Sequence, residues 1–168
     1  MWLKEINSLN KIQLAQELSK CCGSSKWIDK MCLLFPVEDE ATLFKQAGET
    51  WYACDEDDWM EAFTHHPKIG DIDSLREKFA NTAYLAAGEQ SLVKQTSHLL
   101  LKDLFLANSI YEKKFGYIFI VCATGKSAEE MLLMLQQRLT NKPEDEIKIA
   151  IEEQNKITIL RLKKLLTS

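Results

Sequence analysis

The chain has 168 residues, of which 46% are hydrophobic and 27% charged, with a formal net charge of −4. This balance is typical of a soluble globular protein of one domain, residues 1–168, and excludes a disordered chain. The acidic charge argues against a general nucleic-acid binder, and no window reaches the roughly 18 apolar residues of a membrane span. Five cysteines, with Cys21 and Cys22 adjacent, do not resemble a secreted disulfide framework. We therefore expect a cytoplasmic protein with neither nucleic acid nor membrane as a partner.

The pattern of apolar residues predicts an all-α fold. Six glycines and three prolines leave long stretches in which apolar residues recur at three- and four-residue steps. Ser8 is predicted to cap a first helix that carries Ile12 and Leu18. That helix should end near residues 21–23, where Gly23 suits a left-handed terminus.

Two further helices are predicted before residue 52. The second begins at Ser24 or Ser25 and is closed by Pro36, and the third extends from about Glu40 to Trp51. Their predicted buried stripes are Trp27, Met31 and Leu34 in the second helix, and Phe44, Ala47 and Trp51 in the third.

A fourth helix leads into a pair of histidines. The acidic residues 55–58 suit the positive start of this helix, which carries Trp59, Met60 and Phe63 towards His65 and His66. Pro67 biases His66 away from helical geometry, so the histidines are expected at a helix exit. A short helix is plausible over residues 74–79.

The second half is predicted to contain three long helices and one exception. A helix from about Gly88 to Lys114 should bury a stripe at 4-3-4 spacing, formed by Leu100, Leu104, Ala107 and Tyr111. Ser127 begins a capping box for the next helix, and Pro143 opens the last one. Residues 117–123 are continuously apolar and β-branched, but no second strand is evident. We therefore expect a helical bundle of about seven or eight helices with one extended apolar segment.

Three groups of residues have chemical content. An imidazole at the end of a helix is suited to proton transfer. Adjacent side chains point in different directions, so one of the two histidines is the candidate, and we choose His66 because Pro67 restricts it. A capped helix end with a surface imidazole would explain this segment equally well. Residues 86–90 place N–H groups, a carboxylate and an amide at a helix start, which also suits ordinary capping. Arg161 lies on a face with Gln154, where it could bind an anion or cover apolar neighbours. A metal site is disfavoured because the histidines and cysteines are adjacent rather than spaced as in zinc sites.

The chain resembles the family of OHCU decarboxylases, which act on 2-oxo-4-hydroxy-4-carboxy-5-ureidoimidazoline (OHCU) in urate breakdown. The resemblance extends over nearly the whole length. It is carried by Ile6-Asn7-Ser8-Leu9, Cys22-Gly23-Ser24-Ser25-Lys26-Trp27, Met31, Ala62-Phe63, His66-Pro67-Lys68-Ile69-Gly70-Asp71, Glu89-Gln90, Asn108, Tyr111, Lys114-Phe115-Gly116-Tyr117, residues 119–123, Lys156-Ile157 and Arg161-Leu162.

The resemblance implies an all-helical, cofactor-free lyase without a metal, usually a homodimer, that converts OHCU to (S)-allantoin. By motif, His66 and Glu89 are the implied catalytic residues. The implied substrate contacts are Pro67, Ala86, Ala87, Gly88, Glu89, Gln90, Val121, Cys122, Ala123, Thr124, Gly125 and Arg161. Ala86 stands where many members have serine, so one hydroxyl contact is missing. A non-catalytic helical binding module and a metal-dependent hydrolase are the competing hypotheses.

Overall fold

The computed structural model of the chain describes residues 1–66 and 90–167, and for residues 90–97 it describes the backbone alone. These ranges contain eight helices and no β-strand, which confirms the all-α prediction. The helices are α1 (Leu3–Asn7), α2 (Lys11–Ser19), α3 (Ser25–Leu34), α4 (Glu40–Tyr52), α5 (Glu56–Thr64), α6 (Gln90–Phe115), α7 (Ala128–Leu139) and α8 (Pro143–Thr167). In the described ranges, none of them is both long and apolar enough to cross a membrane.

The chain divides into two compact units. The first contains Met1–His66, Ile120–Cys122 and residues 148–167. The second contains the described part of residues 67–119 together with Ala123–Ile147. Among the described helices, α3 contacts α2, α4 and α5 within the first unit, and α6 packs along α7 within the second.

Most of the predicted helix starts are confirmed because the capping side chains occupy their expected positions. Ser24 accepts a hydrogen bond from the Trp27 N–H at 3.2 Å, and Asp55 begins α5 in the same way. Ser127 forms the predicted capping box with Glu130, and α8 begins at Pro143. The short helix predicted over residues 74–79 lies outside the described residues.

The predicted start of the first helix is wrong. Ser8 follows a separate short helix, α1, as its C-cap, and Asn10 caps α2 by accepting from the Gln13 N–H at 3.0 Å. Asn10 is as good a cap as serine, and placing the start there lets Ile6 be buried on α1. Gly23 also lacks the predicted left-handed backbone, since the described glycines with positive φ are Gly116 and Gly125.

Tryptophan side chains join the helices of the first unit. The Trp27 indole N–H donates to the Ala47 carbonyl at 3.0 Å, and the Trp51 indole donates to the Ile151 carbonyl of α8 at 2.8 Å. Both tryptophans are fully buried, so each large apolar ring is removed from water while its one polar atom is satisfied. These contacts align α3, α4 and α8 within this unit.

The predicted buried stripes are correct except at their edges. Trp27, Met31, Ala47 and Trp51 are buried. Leu34 is 38% exposed, however, so its prediction as a buried residue is wrong. In α4, Leu43 is fully buried, while the neighbouring Phe44 is half-buried beneath Lys163. Helical spacing thus indicated the direction of each stripe but not its width.

The second unit encloses a charged network. The carboxylate of Glu146 accepts hydrogen bonds from the Tyr111 hydroxyl and, at 2.6 Å, from Arg138. All three side chains are buried, and Asn141 donates to the second carboxylate oxygen at 2.9 Å. The buried charge is therefore paired and hydrogen-bonded, as a low-dielectric interior requires. On α6, Leu104 and Ala107 are buried in line with Tyr111, as predicted, and Leu100 is half-buried.

The apolar run before α7 is extended and unpaired with any strand. Residues 118–123 have no regular secondary structure, which confirms the predicted extended segment. Tyr117 and Ile120 are buried, so apolar side chains anchor this segment in place of a β-ladder.

Candidate active site

His66 lies immediately beyond the end of α5. The helix ends at Thr64, His65 is its C-cap, and the His66 N–H donates to the Phe63 carbonyl at 3.3 Å. Phe63 is fully buried and anchors the last turn. The predicted position of the histidines at a helix exit is confirmed.

The two histidines have different surroundings. His65 is exposed, and its ring lies so close to Gly23 that a Cβ atom added to Gly23 would overlap it. The residues after Gly23 are tied to α5, because both the N–H and the hydroxyl of Ser25 donate to the Glu61 carboxylate, at 2.8 and 2.6 Å. The loop between α2 and α3 is thereby held against the exit of α5.

The His66 ring is bound to a buried amide on α8. Its Nε2 atom hydrogen-bonds the Oε1 atom of Gln154, and the Nε2 atom of Gln154 donates to the Thr158 hydroxyl at 3.2 Å. Gln154 is 1% exposed and Thr158 is fully buried. A buried amide of this kind has few alternative partners, so it limits how the ring can rotate.

Arg161 lies on the same stripe of α8 as Gln154 and Thr158. It follows Gln154 by seven residues, or about 10 Å along a helix. Arg161 is half-buried, and its Nη1 atom donates to the Cys21 carbonyl at 3.4 Å. Among the described residues, no carboxylate lies within ion-pair distance of its guanidinium. A guanidinium has five N–H donors, and this contact uses one of them.

The loop beside this stripe contributes two neutral thiols. Burial raises the pKa of Cys21 to about 11 despite the nearby Arg161. Burial likewise raises the pKa of Cys22 to about 12, although hydrogen bonds from the Ser24 backbone and the Thr158 hydroxyl oppose that rise. Both groups are therefore protonated at neutral pH and are poor nucleophiles.

A buried carboxylate of α8 holds the extended segment. The Cys122 N–H donates to the Oε2 atom of Glu153 at 2.7 Å, while Lys156 donates to Oε1 at 2.7 Å. Glu153 is 8% exposed, and its carboxylate raises the pKa of Lys156. The backbone of this segment, which has no β-ladder, thus has a side-chain partner at Cys122.

The segment continues into a turn. The Lys126 N–H donates to the Ala123 carbonyl at 3.1 Å, and Gly125 has a φ of 77°. Val121 and Cys122 are half-buried in the first unit, whereas Thr124 and Gly125 are exposed in the second. A positive φ of this size favours glycine, which accounts for the residue type at position 125.

The described residues include only part of the predicted site. Pro67, Ala86, Ala87, Gly88 and Glu89 lie outside the described residues, and Gln90 is described only as the first residue of α6. Within the first unit, the His66 ring binds Gln154, which lies seven residues before Arg161 on α8. In residues 1–66 and 90–167, no group of three or more potential ligands is placed to hold a metal ion.

Gln154, Thr158 and Glu153 were not predicted as parts of this site, although Gln154 was placed on the same helix face as Arg161. Gln154 and Thr158 are polar residues four apart on a helix that also carries Arg161, and that spacing was the available signal. Nothing local connects Gln154 with His66, which lies 88 residues earlier in the chain.

The chain matches known proteins over most of its length. Residues 7–163 match the family model described as OHCU decarboxylase. The uric acid degradation bifunctional protein TTL of Arabidopsis thaliana is 39% identical over 153 residues, which are 89% of this chain and 46% of that protein. The uric acid degradation bifunctional protein of Bacillus sp. (strain TB-90) is 25% identical over 98% of this chain and 32% of its own length. The chain thus spans less than half the length of these two relatives.

Solved structures give the same result. A crystal structure of OHCU decarboxylase in the presence of (S)-allantoin is 36% identical and has a TM-score of 0.71, covering 90% of this chain and 98% of that one. A crystal structure of (S)-allantoin synthase is 18% identical and has a TM-score of 0.69, and the match covers 98% of this chain and 54% of that one. At this identity the match supports the fold alone. The chain belongs to the OHCU decarboxylase family.

Proposed function

We propose that this protein decarboxylates OHCU to (S)-allantoin in urate degradation, with His66 as the acid/base and without a cofactor. Family membership supports the reaction class. The observation that carries the proposal is that His66 is held by the buried Gln154, on the same stripe of α8 as Arg161. A positioned imidazole and a cation with donors to spare are the groups that such a reaction requires.

The chemistry proposed for the substrate explains why no cofactor is needed. The bond between the ring carbon and its carboxylate breaks, CO₂ leaves, and the electron pair remains on that carbon. The adjacent ring delocalises this charge, so the substrate is its own electron sink. The protein then has to orient the carboxylate, stabilise the developing charge and deliver a proton to one face.

His66 is proposed to exchange protons with the substrate hydroxyl or the ring carbon. An imidazole with an ordinary pKa of roughly 6.5 has both protonation states accessible near neutral pH. The exit of α5 and the amide of Gln154 limit the positions that the ring can take. A fixed ring can protonate one face of the ring carbon, which is what a stereospecific product requires.

Arg161 is proposed to bind a carbonyl or carboxylate oxygen of the substrate. Its contact with the Cys21 carbonyl orients the guanidinium while leaving most of its donors available. Glu89 is proposed to orient or polarise the substrate and Gln90 to hydrogen-bond its ring. Pro67, Ala86, Ala87 and Gly88 are further proposed substrate contacts.

The extended segment is proposed to contact the ureido and imidazolone edges through its backbone. The Cys122 N–H is already bound by Glu153, so the contribution of Cys122 is proposed to come from its other groups. Val121, Ala123, Thr124 and Gly125 are the remaining proposed contacts. In this arrangement Glu153 sets the position of the segment.

The setting of the activity is also a proposal. We propose that residues 1–168 form a single OHCU decarboxylase-like domain, which is supported by the extent of the family match over residues 7–163. A homodimer in the cytoplasm is the proposed state of the protein.

The proposed activity is tested with substrate made in place. Urate oxidase and hydroxyisourate hydrolase generate OHCU, and the decay of OHCU and the rise of optical activity are followed with and without this protein. The proposal predicts faster decay and one enantiomer of allantoin, unaffected by a chelator. Equal rates with and without the protein would refute it, and activity lost on chelation would favour a metal-dependent reaction.

A further inference from the structure

A chain of buried polar groups extends from His66 into the first unit. It passes from the Nε2 atom of His66 to the amide of Gln154 and from there to the Thr158 hydroxyl. We propose that Gln154 and Thr158 are positioning residues that keep the neutral His66 ring in the tautomer with its proton on Nε2. The inference rests on the proposed function, in which His66 handles protons.

The direction of the hydrogen bonds selects this tautomer. An amide side chain accepts at its oxygen and donates at its nitrogen, so the end bound to Thr158 decides which end faces His66. Here the nitrogen of Gln154 donates to Thr158, which leaves the oxygen to accept from the ring. An accepting partner at Nε2 requires that Nε2 carry the proton, and Nδ1 is then the basic nitrogen of the neutral ring.

The Thr158 hydroxyl takes part as an acceptor. Its oxygen lies 3.2 Å from the amide nitrogen of Gln154, and both side chains are buried. An amide nitrogen donates and cannot accept, so this contact decides which end of Gln154 faces Thr158. Thr158 therefore orients Gln154, which orients His66.

This arrangement suits the proposed reaction. A buried amide holds the Nε2 atom, so the ring keeps one orientation and one neutral form when substrate binds. A ring that changed tautomer would present a donor where a base is needed. Neither Gln154 nor Thr158 has to touch the substrate for this effect.

The tautomer can be measured directly on the substrate-free full chain. The protein is labelled with ¹⁵N-histidine, and the signals of the His66 ring nitrogens are assigned by comparison with the His66→Gln variant. Their chemical shifts are then measured at a pH high enough for the ring to be neutral. We expect Nε2 to carry the proton. A proton on Nδ1, or averaging between the two tautomers, would overturn the proposal even if the protein folds and is active.

Variants of Thr158 give a second test. Thr158→Val keeps the shape of the side chain and removes the hydroxyl, and we expect mixed tautomers and a kcat lower by about tenfold, the effect of losing roughly one hydrogen bond, with KM little changed. Thr158→Ser should restore both readouts. An unchanged tautomer in a folded Thr158→Val variant would overturn the role of Thr158. The tautomer is read without substrate, so its result is distinct from any failure to find decarboxylase activity.

Discussion

The Nε2 atom of His66 hydrogen-bonds the buried Oε1 atom of Gln154, seven residues before Arg161 on α8. One helix therefore carries both the group that holds the imidazole and the cation proposed to bind the substrate. The geometry of the site should be sensitive to changes that move the exit of α5 relative to α8, both of which contribute to the first unit.

Substituting Gly23 tests the packing beneath the histidines. A Cβ at this position would lie 2.5 Å from the Cβ of His65, so the exit of α5 must shift. We expect Gly23→Ala to lower the free energy of unfolding by about 1–3 kcal/mol, as overpacking does, and to lower kcat. Chemical denaturation and the OHCU assay measure the two effects.

Gly48→Ala is the matched control. A Cβ added there meets nothing closer than the Asn155 side chain at 3.7 Å, and Gly48 lies inside α4. Replacing a helical glycine by alanine should stabilise the protein by about 0.5–1 kcal/mol without changing kcat. If the two variants had the same stability and the same kcat, the close approach of Gly23 to His65 would not explain the effect of Gly23→Ala.

Glu153 should be needed more for its oxygen atoms than for its charge. Glu153→Gln retains an acceptor for the Cys122 N–H, whereas Glu153→Leu leaves that N–H without it, which costs about 1–3 kcal/mol. We expect the leucine variant to be the less stable of the two and to have the higher KM. Exposed Glu152, whose contact with Lys156 is 3.7 Å, is the control, and Glu152→Gln should change stability by less than about 0.5 kcal/mol. Equal KM values for the leucine variant and the wild type would argue against a role of the segment in binding.

Arg161→Ala is expected to weaken substrate binding more than folding. The guanidinium is half-buried with one described hydrogen bond, so the loss of stability should remain near 1 kcal/mol. Loss of a charge-assisted contact with substrate should raise KM by about tenfold or more. Exposed Lys164 provides a charge-matched control, and Lys164→Ala should leave KM unchanged. A wild-type KM in Arg161→Ala would refute the proposed anchor.

The buried thiols make stability depend on alkaline pH. The pKa of Cys21 is raised to about 11 and that of Cys22 to about 12 from an ordinary value of 9.0. Below pH 9 the thiols are protonated in both folded and unfolded chains, so their contribution to stability is complete. Above pH 9 they ionise first in the unfolded chain, so the free energy of unfolding should fall by up to about 1.4 kcal/mol per pH unit for each thiol.

Unfolding under reducing conditions between pH 8 and pH 11 measures this slope. Cys22→Ala should have a shallower slope than the wild type, because one of the two thiols no longer titrates. Parallel slopes for the two proteins would show that Cys22 ionises equally in both states.

The features that the sequence predicted well are local. Ser24, Asp55 and Ser127 cap their helices because each bonds a backbone N–H three residues ahead. Where two good caps compete, as Ser8 and Asn10 do, the burial of Ile6 on α1 decides, and that depends on tertiary packing. The exposure of Leu34 also depends on tertiary packing, which helical spacing alone does not reveal.

The site was predictable only in part, for a related reason. A proline after His66 and an arginine on an amphipathic helix are visible in the sequence. The partnership of His66 with Gln154 arises from packing between segments 88 residues apart, and helical periodicity contains no information about it. The fixing of Cys122 by Glu153 is likewise a tertiary contact.

The rate of the His66→Ala variant in the OHCU assay, compared with that of His65→Ala, tests the central claim most directly. Removing a general acid/base typically costs about 10²–10⁴-fold, so His66→Ala should lose most of kcat while retaining its fold by circular dichroism. His65 is exposed, and His65→Ala should have a mild effect. Near-wild-type kcat in a folded His66→Ala variant, or a larger loss in His65→Ala, would contradict the assignment of His66 as the acid/base.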